Sequence, residues 1–101
     1  MKTYMTKIRQ SAKGEDCTVR IAGICNHNPE TVILAHISGI RYGHGTGQKT
    51  DDIHGAYCCS SCHDALDGRT KCEYSKDSLK LFHLEGIIET QIKLINKGLI
   101  K

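Results

Sequence analysis

No run of this sequence is long and apolar enough to span a membrane, so no membrane partner is expected. The amino end, Met1 to Gln10, carries positive charge with no apolar stretch behind it, which argues against reading it as a secretory signal. Internal repeats, low-complexity tracts and Ser/Pro-rich linkers are also missing, so neither a solenoid nor a string of tethered domains is expected. Tryptophan is absent, proline and phenylalanine occur once each, and aromatics make up 5% of the 101 residues. That composition suits one small domain with a modest core, and residues 1–101 are read as that domain. A dominant charge of one sign is lacking as well: 14 Lys plus Arg stand against 11 Asp plus Glu, a net charge of +3 with six histidines in addition. This tilt is compatible with a phosphate-backbone partner but falls short of the footprint of a strongly basic nucleic-acid binder.

What the chain does have is cysteine, six in all. With no export signal in view they are expected in a reducing cytoplasm, where paired cysteines usually mean metal rather than disulfide. Cys59 and Cys62 are separated by two residues, a gap that lets both sulfurs reach one ion at the start of a helix. Cys17 and Cys25, more widely spaced, supply the other pair of a four-thiolate structural Zn²⁺ site. Such a site is worth about 10 to 16 kcal/mol of apparent binding energy, enough to assist a modest core. Cys58 and Cys72 are then spare thiols. Cys59-Ser60-Ser61-Cys62-His63 also spells the attachment signature of c-type haem. Haem attachment would need export in most systems and would leave the upstream cysteines without a role.

A second decoy is Gly43-His44-Gly45-Thr46-Gly47-Gln48-Lys49-Thr50, which is similar to a phosphate-binding P-loop. Gln48 stands where that loop needs glycine, and no parallel sheet can be built around it. It is read as a connection whose amides and Lys49 can approach a phosphate backbone. Arg41 in the same loop and Arg69 further on are the other candidate nucleic-acid contacts.

The element order follows from periodicity and punctuation. Residues 3–13 read as a short basic helix or arm. Thr18-Val19-Arg20-Ile21 alternates like a strand before a turn at Ala22-Gly23, so Cys17 and Cys25 flank a small knuckle. Asn26 to Glu30 is a turn, residues 31–37 form a β-rich run, and a glycine-rich loop follows over 39–50. Residues 53–58 can be a second strand, and Ser60 or Ser61 can cap a helix reaching about Asp67. A C-terminal helix is expected over 76–96, with Leu79, Phe82, Ile88, Ile92 and Ile95 near helical spacing and Gly98 as its stop. The fold class is therefore small α+β, with its core at about 12–70.

Taken in order, the cysteine pair, a strand ending in His36, a glycine loop, a second strand and Cys-x-x-Cys-His give the chain a specific likeness. Over about Ala12 to Arg69 it resembles the HNH group of ββα-metal (His-Me finger) endonucleases, and more closely the YbcO-like putative nuclease family of phages and prophages. The segments that carry this are Cys17 with Val19-Arg20-Ile21, Cys25, Asn28-Pro29-Glu30-Thr31, Leu34-Ala35-His36-Ile37, and Cys59 to Arg69. The resemblance implies a zinc-stapled ββα-metal domain in a bacterial host's cytoplasm that hydrolyses phosphodiester bonds in nucleic acid, DNA above all. It implies that His36 is the general base and that His63 binds a catalytic divalent ion, Mg²⁺ or similar. Asp67, one helical turn beyond His63, shares its face and is the second candidate ligand for that ion. Where many members of the group have Asp or His before the base, this chain has Ala35, and Asp51, Asp52 and Asp67 are candidates for the missing ligand. His54 falls near the middle Asn of the HNH pattern, in a position to orient the base. The alternative reading is a catalytically inactive zinc-stapled module that binds DNA or another protein.

Overall fold

Gly55–Cys58, four consecutive buried residues, form the strand around which the rest is arranged. In the computed structural model, which describes residues 6–37 and 52–100, this is strand β2. It pairs antiparallel with β1, Ile33–His36, in the register Ile33 to Cys58, Leu34 to Tyr57, Ala35 to Ala56 and His36 to Gly55. Helix α1 (Thr6–Ser11) lies against β1, helix α2 (Ser60–Leu66) follows β2, and helix α3 (Lys76–Asn96) lies along β2. The architecture is small α+β, a two-stranded sheet with helices around it. The core gathers Val19, Ile21, Val32, Leu34, Ile37, Ala56, Tyr57, Ile87 and Leu94. None of the described helices is long and apolar enough to cross a membrane.

Local chemistry shifts several expected boundaries. Pro29 begins a 3₁₀ turn, Pro29–Thr31, whose first free amide, Glu30 N, donates to the Asn28 side chain, so β1 starts only at Ile33. A second 3₁₀ turn, Asp52–His54, delays β2 to Gly55. The cap of α2 is Cys59 rather than Ser60 or Ser61: its backbone is extended (φ −71°, ψ 166°) and its Sγ accepts from Cys62 N at 3.4 Å. The two serine hydroxyls instead meet the Asn26 amide at 3.0 and 3.2 Å. Thr18 to Ile21 is not a strand; Arg20 sits at φ +41°, and the sharp turn this makes aims its N–H at Cys17 Sγ, 3.4 Å away.

α3 spans the expected residues, with Ser75 Oγ accepting from Ser78 N at 3.1 Å and Gly98 at φ +77° just past its end. Its inward face differs from the expected one. His83, Gly86, Ile87, Thr90 and Leu94 are buried, with Leu79 and Phe82 packed at the margin, whereas Ile88, Ile92 and Ile95 are at least half exposed. Polar bonds explain the turn of the helix. Thr18 Oγ1 donates to one carbonyl and lies 3.0 Å from Tyr57 O, Gly86 O and Thr90 Oγ1, and Tyr57 N donates to Thr90 Oγ1 at 3.0 Å. A fully satisfied buried network of this kind fixes which face points inward more firmly than an isoleucine count does.

Candidate metal centre and histidine site

Two separate clusters of chemistry-bearing side chains flank the sheet. At one, Cys17, Cys25, Cys59 and Cys62 bring their sulfurs within 4.8 Å of one another. A tetrahedral ion with metal–sulfur bonds of about 2.3 Å, as zinc has, would hold its sulfurs about 3.8 Å apart. Cys59 Sγ and Cys25 Sγ are separated by 3.8 Å. Amides support the sulfurs: Arg20 N to Cys17, Ile21 N to Cys62 and Cys62 N to Cys59, each at 3.4 Å. Such N–H donors favour thiolate. Without a cation the four cannot all ionise. Hydrogen bonds from Cys58 and Cys62 hold the Cys17 thiol far below its ordinary value, while burial pushes Cys25 up to about 11 and the bond to Cys17 pushes Cys62 up. Cys58, wholly buried behind the tetrad, is pushed up by its bond to Cys17 and stays a thiol donor. Cys72 lies apart, 3.9 Å from Tyr74 O. Among the described residues these four cysteines are the one set of three or more ligand groups in mutual reach.

At the other cluster, His36 ends β1 with its Nε2 2.7 Å from Asp52 Oδ1. Arg9 Nε donates to the same oxygen at 3.2 Å, and the Asp52 side chain is only 8% exposed, which keeps this pairing out of bulk water. A carboxylate accepting the Nε2 proton selects the neutral tautomer in which Nδ1 carries the lone pair. The orienting contact is thus made by Asp52, two residues before His54. His54 closes the 3₁₀ turn and accepts Ile37 N on its carbonyl at 3.0 Å, which helps hold the end of β1 beside the turn that carries Asp52.

His63 of α2 and Asp67, the C-cap residue one turn further on, approach with Nε2 to Oδ2 at 3.4 Å. Asp67 is also 3.6 Å from Arg69, whose guanidinium lies 3.8 Å from Asp64, so Arg69 is tied to acidic neighbours. His36 and Asp67 line one cavity of about 630 Å³, together with His83, Lys76 and Lys80 from α3. His83 Nε2 is 2.8 Å from Ala35 O, and burial holds its imidazole below the ordinary value of 6.5. Neutral His83 can therefore donate to the carbonyl that precedes His36. Sequence reasoning missed this residue, although its spacing of four and seven from Leu79 and Lys76 put it on one helical face with them. Arg41, Lys49 and Asp51 lie outside the described residues.

A small α+β domain with a four-cysteine metal-type cluster and a carboxylate-oriented histidine at a cleft is the class that these features define. The family model described as "Putative nuclease YbcO" matches residues 6–99, and the chain belongs to that family. It is 42% identical over 102 residues to "Putative nuclease YbcO" of Escherichia coli (strain K12), across 96% of this chain and 99% of that protein. The "Putative nuclease ybcO" of Enterobacteria phage 82 matches to the same extent. Among solved structures, a "putative bacteriophage protein" of E. coli K-12 substr. MG1655 superposes with a TM-score of 0.76 at 39% identity, covering 91% of this chain and all of that one.

Proposed function

We propose that this protein is an HNH-type, ββα-metal endonuclease that hydrolyses phosphodiester bonds in DNA. The observation that carries the reading is the His36–Asp52 pair, an imidazole at a cleft with its Nε2 engaged by a buried carboxylate. His36 Nδ1 takes the proton of the attacking water, the water oxygen bonds to phosphorus, and the bond from phosphorus to the leaving oxygen breaks. Asp52 keeps the ring in the competent tautomer and favours the imidazolium as it forms. Arg9 donates to the same Asp52 oxygen at 3.2 Å and so helps hold that carboxylate against the ring. His63 and Asp67 are the residues that would hold a divalent ion such as Mg²⁺, with an imidazole nitrogen and a carboxylate oxygen 3.4 Å apart at the C-terminal end of α2. When bound, that ion supplies neutralisation of charge on the phosphoryl oxygens. In this reading the cysteine tetrad is the structural zinc site, and the order β1, β2, α2 beside it supports the ββα assignment.

The test is cleavage of supercoiled plasmid and branched DNA with Mg²⁺ and with EDTA, comparing the wild type with His36→Ala. Loss of a positioned general base costs about 10² to 10⁴ in rate, while metal content and melting temperature should stay near wild type. Equal cleavage by the variant would reduce His36 to a packing residue. Binding without cleavage by the wild type under every divalent ion would favour the DNA-binding module instead.

A further inference from the structure

The outward face of α3 is apolar. Ile88, Ile92 and Ile95 are 61%, 56% and 50% exposed, Leu81 is 58% exposed, and Leu84 is half-buried beside them. A helix turns by about 100° and rises about 1.5 Å per residue, which puts these five side chains within about 40° of one line, opposite the buried Gly86 and Thr90. From Leu81 to Ile95 the seam is about 21 Å long, with Glu85 and Gln91 bordering it on either side, about 60° from the line. A contiguous apolar stripe with polar borders marks a contact surface.

The stripe is symmetric about Ile88. Leu81 and Ile95 stand about two turns to either side of it and Leu84 and Ile92 about one, and the members of each pair lean to opposite sides of the line. A second α3 laid antiparallel about a twofold axis at Ile88 therefore sets Leu81 against Ile95, Leu84 against Ile92 and Ile88 against itself, each filling the half of the seam that the other leaves open. Charge agrees with this direction. The twofold axis keeps each border on its own side, so the partner's Glu85 arrives about 4.5 Å past Ile88, between the levels of Glu89 and Lys93 at about 1.5 and 7.5 Å. Glu89 is held by Arg20 at 2.9 Å and lies in the field of Lys93, which leaves those three with one positive charge in excess. Glu85 is exposed and has no ion-pair partner among the described residues, and its arrival balances that charge. Antiparallel helices also set their macrodipoles in opposition.

We propose that α3 pairs antiparallel with α3 of a second copy of this chain along the Leu81–Ile95 seam, giving a twofold dimer. This goes beyond the nuclease reading and does not depend on it. One helix pair is a small interface, so the dimer is expected to dissociate in the micromolar range.

The test is sedimentation of the metal-loaded protein over a dilution series, in which the mass should rise toward twice the 11.2 kDa of the chain. Ile88→Glu, which sets two carboxylates on the twofold axis, should weaken association by about 30-fold or more. Ile33→Gln, at an exposed position of β1, should leave association unchanged. Metal content reports that both variants are folded. Direction is read by cross-linking in a Cys72→Ser background: Leu81→Cys and Ile95→Cys chains, mixed and gently oxidised, should give the mixed disulfide as the main product in mass spectra. A wild type that stays monomeric at every concentration, or a dimer that Ile88→Glu leaves intact, would overturn the seam as a contact between copies. A disulfide between two Leu81→Cys chains that outweighs the mixed one would overturn the antiparallel pairing.

Discussion

At the residue scale, the histidine site depends on which atoms are paired. Asp52 Oδ1 is shared by His36 and Arg9, while its Oδ2 is buried with no hydrogen-bond partner among the described residues. Asp52→Asn keeps the shape, but an amide can present its NH₂ to Nε2 and so favour the tautomer that puts the proton on Nδ1. Cleavage by this variant should fall by about 10² or more, toward the level of His36→Ala, with metal content unchanged. Wild-type cleavage rates would remove Asp52 from the site. His83 makes a different prediction. Burial holds its folded pKa below 6.5, so below that value the unfolded chain binds the proton and the folded chain does not. Stability should therefore fall as pH drops from neutral through about 6.5, and level off only below the folded pKa. In His83→Gln, whose amide can still donate to Ala35 O, that part of the slope should vanish from denaturant titrations of the metal-loaded protein. An unaltered slope would mean that His83 does not contribute to it.

Elements show where sequence was a sufficient guide and where it was not. α3 was legible to the residue because its cap, length and terminal glycine are all local signals: Ser75, the 21-residue span and Gly98. Its orientation was not, because isoleucines at 88, 92 and 95 compete with a threonine and a glycine whose value lies in partners distant in sequence, Thr18 and Tyr57. The knuckle from Cys17 to Cys25 alternated like a strand, yet thiolate–amide geometry imposes a left-handed Arg20 there, and Arg20 then reaches Glu89 of α3 at 2.9 Å. Likewise the four cysteines could be read from type and spacing and His36 entered through the family resemblance, whereas the contact of Asp52 with His36, in place of the ligand role considered for it, and the place of His83 became visible only once the hairpin and α3 brought them to β1. Gly86 tests the packing directly. A Cβ there would lie 2.9 Å from Val19 Cγ2 and 3.2 Å from Val19 Cα. Alanine is about 1 kcal/mol better than glycine inside a helix, so propensity alone predicts a gain. Overpacking of this kind costs about 1 to 3 kcal/mol, and Gly86→Ala should lower the melting temperature by several degrees. A rise would show that α3 can move away from the Thr18–Val19 segment freely.

At the scale of the whole molecule, the tetrad brings together two parts of the chain that are far apart in sequence. Cys17 and Cys25 belong to the loop that α3 clasps through Arg20 and Glu89, while Cys59 and Cys62 sit at the junction of β2 and α2. A structural zinc site contributes about 10 to 16 kcal/mol, as large as the roughly 5 to 15 kcal/mol by which a whole domain is usually stable. Removing the ion should therefore unfold the chain or leave it marginal rather than loosen one corner. The purified protein should carry about one zinc, and stripping it with a chelator should abolish the cooperative thermal transition. Zn²⁺ should restore the transition and Mg²⁺ should not, since four sulfurs offer a hard ion no oxygen. Cys59→Ser and Cys62→Ser should behave like the stripped protein, whereas Cys72→Ser, outside the tetrad, should melt near wild type. Acid should act in the same direction, because protons compete with the ion for thiolates. A stripped protein that melts like the loaded one would mean that the core of Tyr57, Ile21 and Leu94 suffices by itself, and that the four sulfurs lie close together for packing alone.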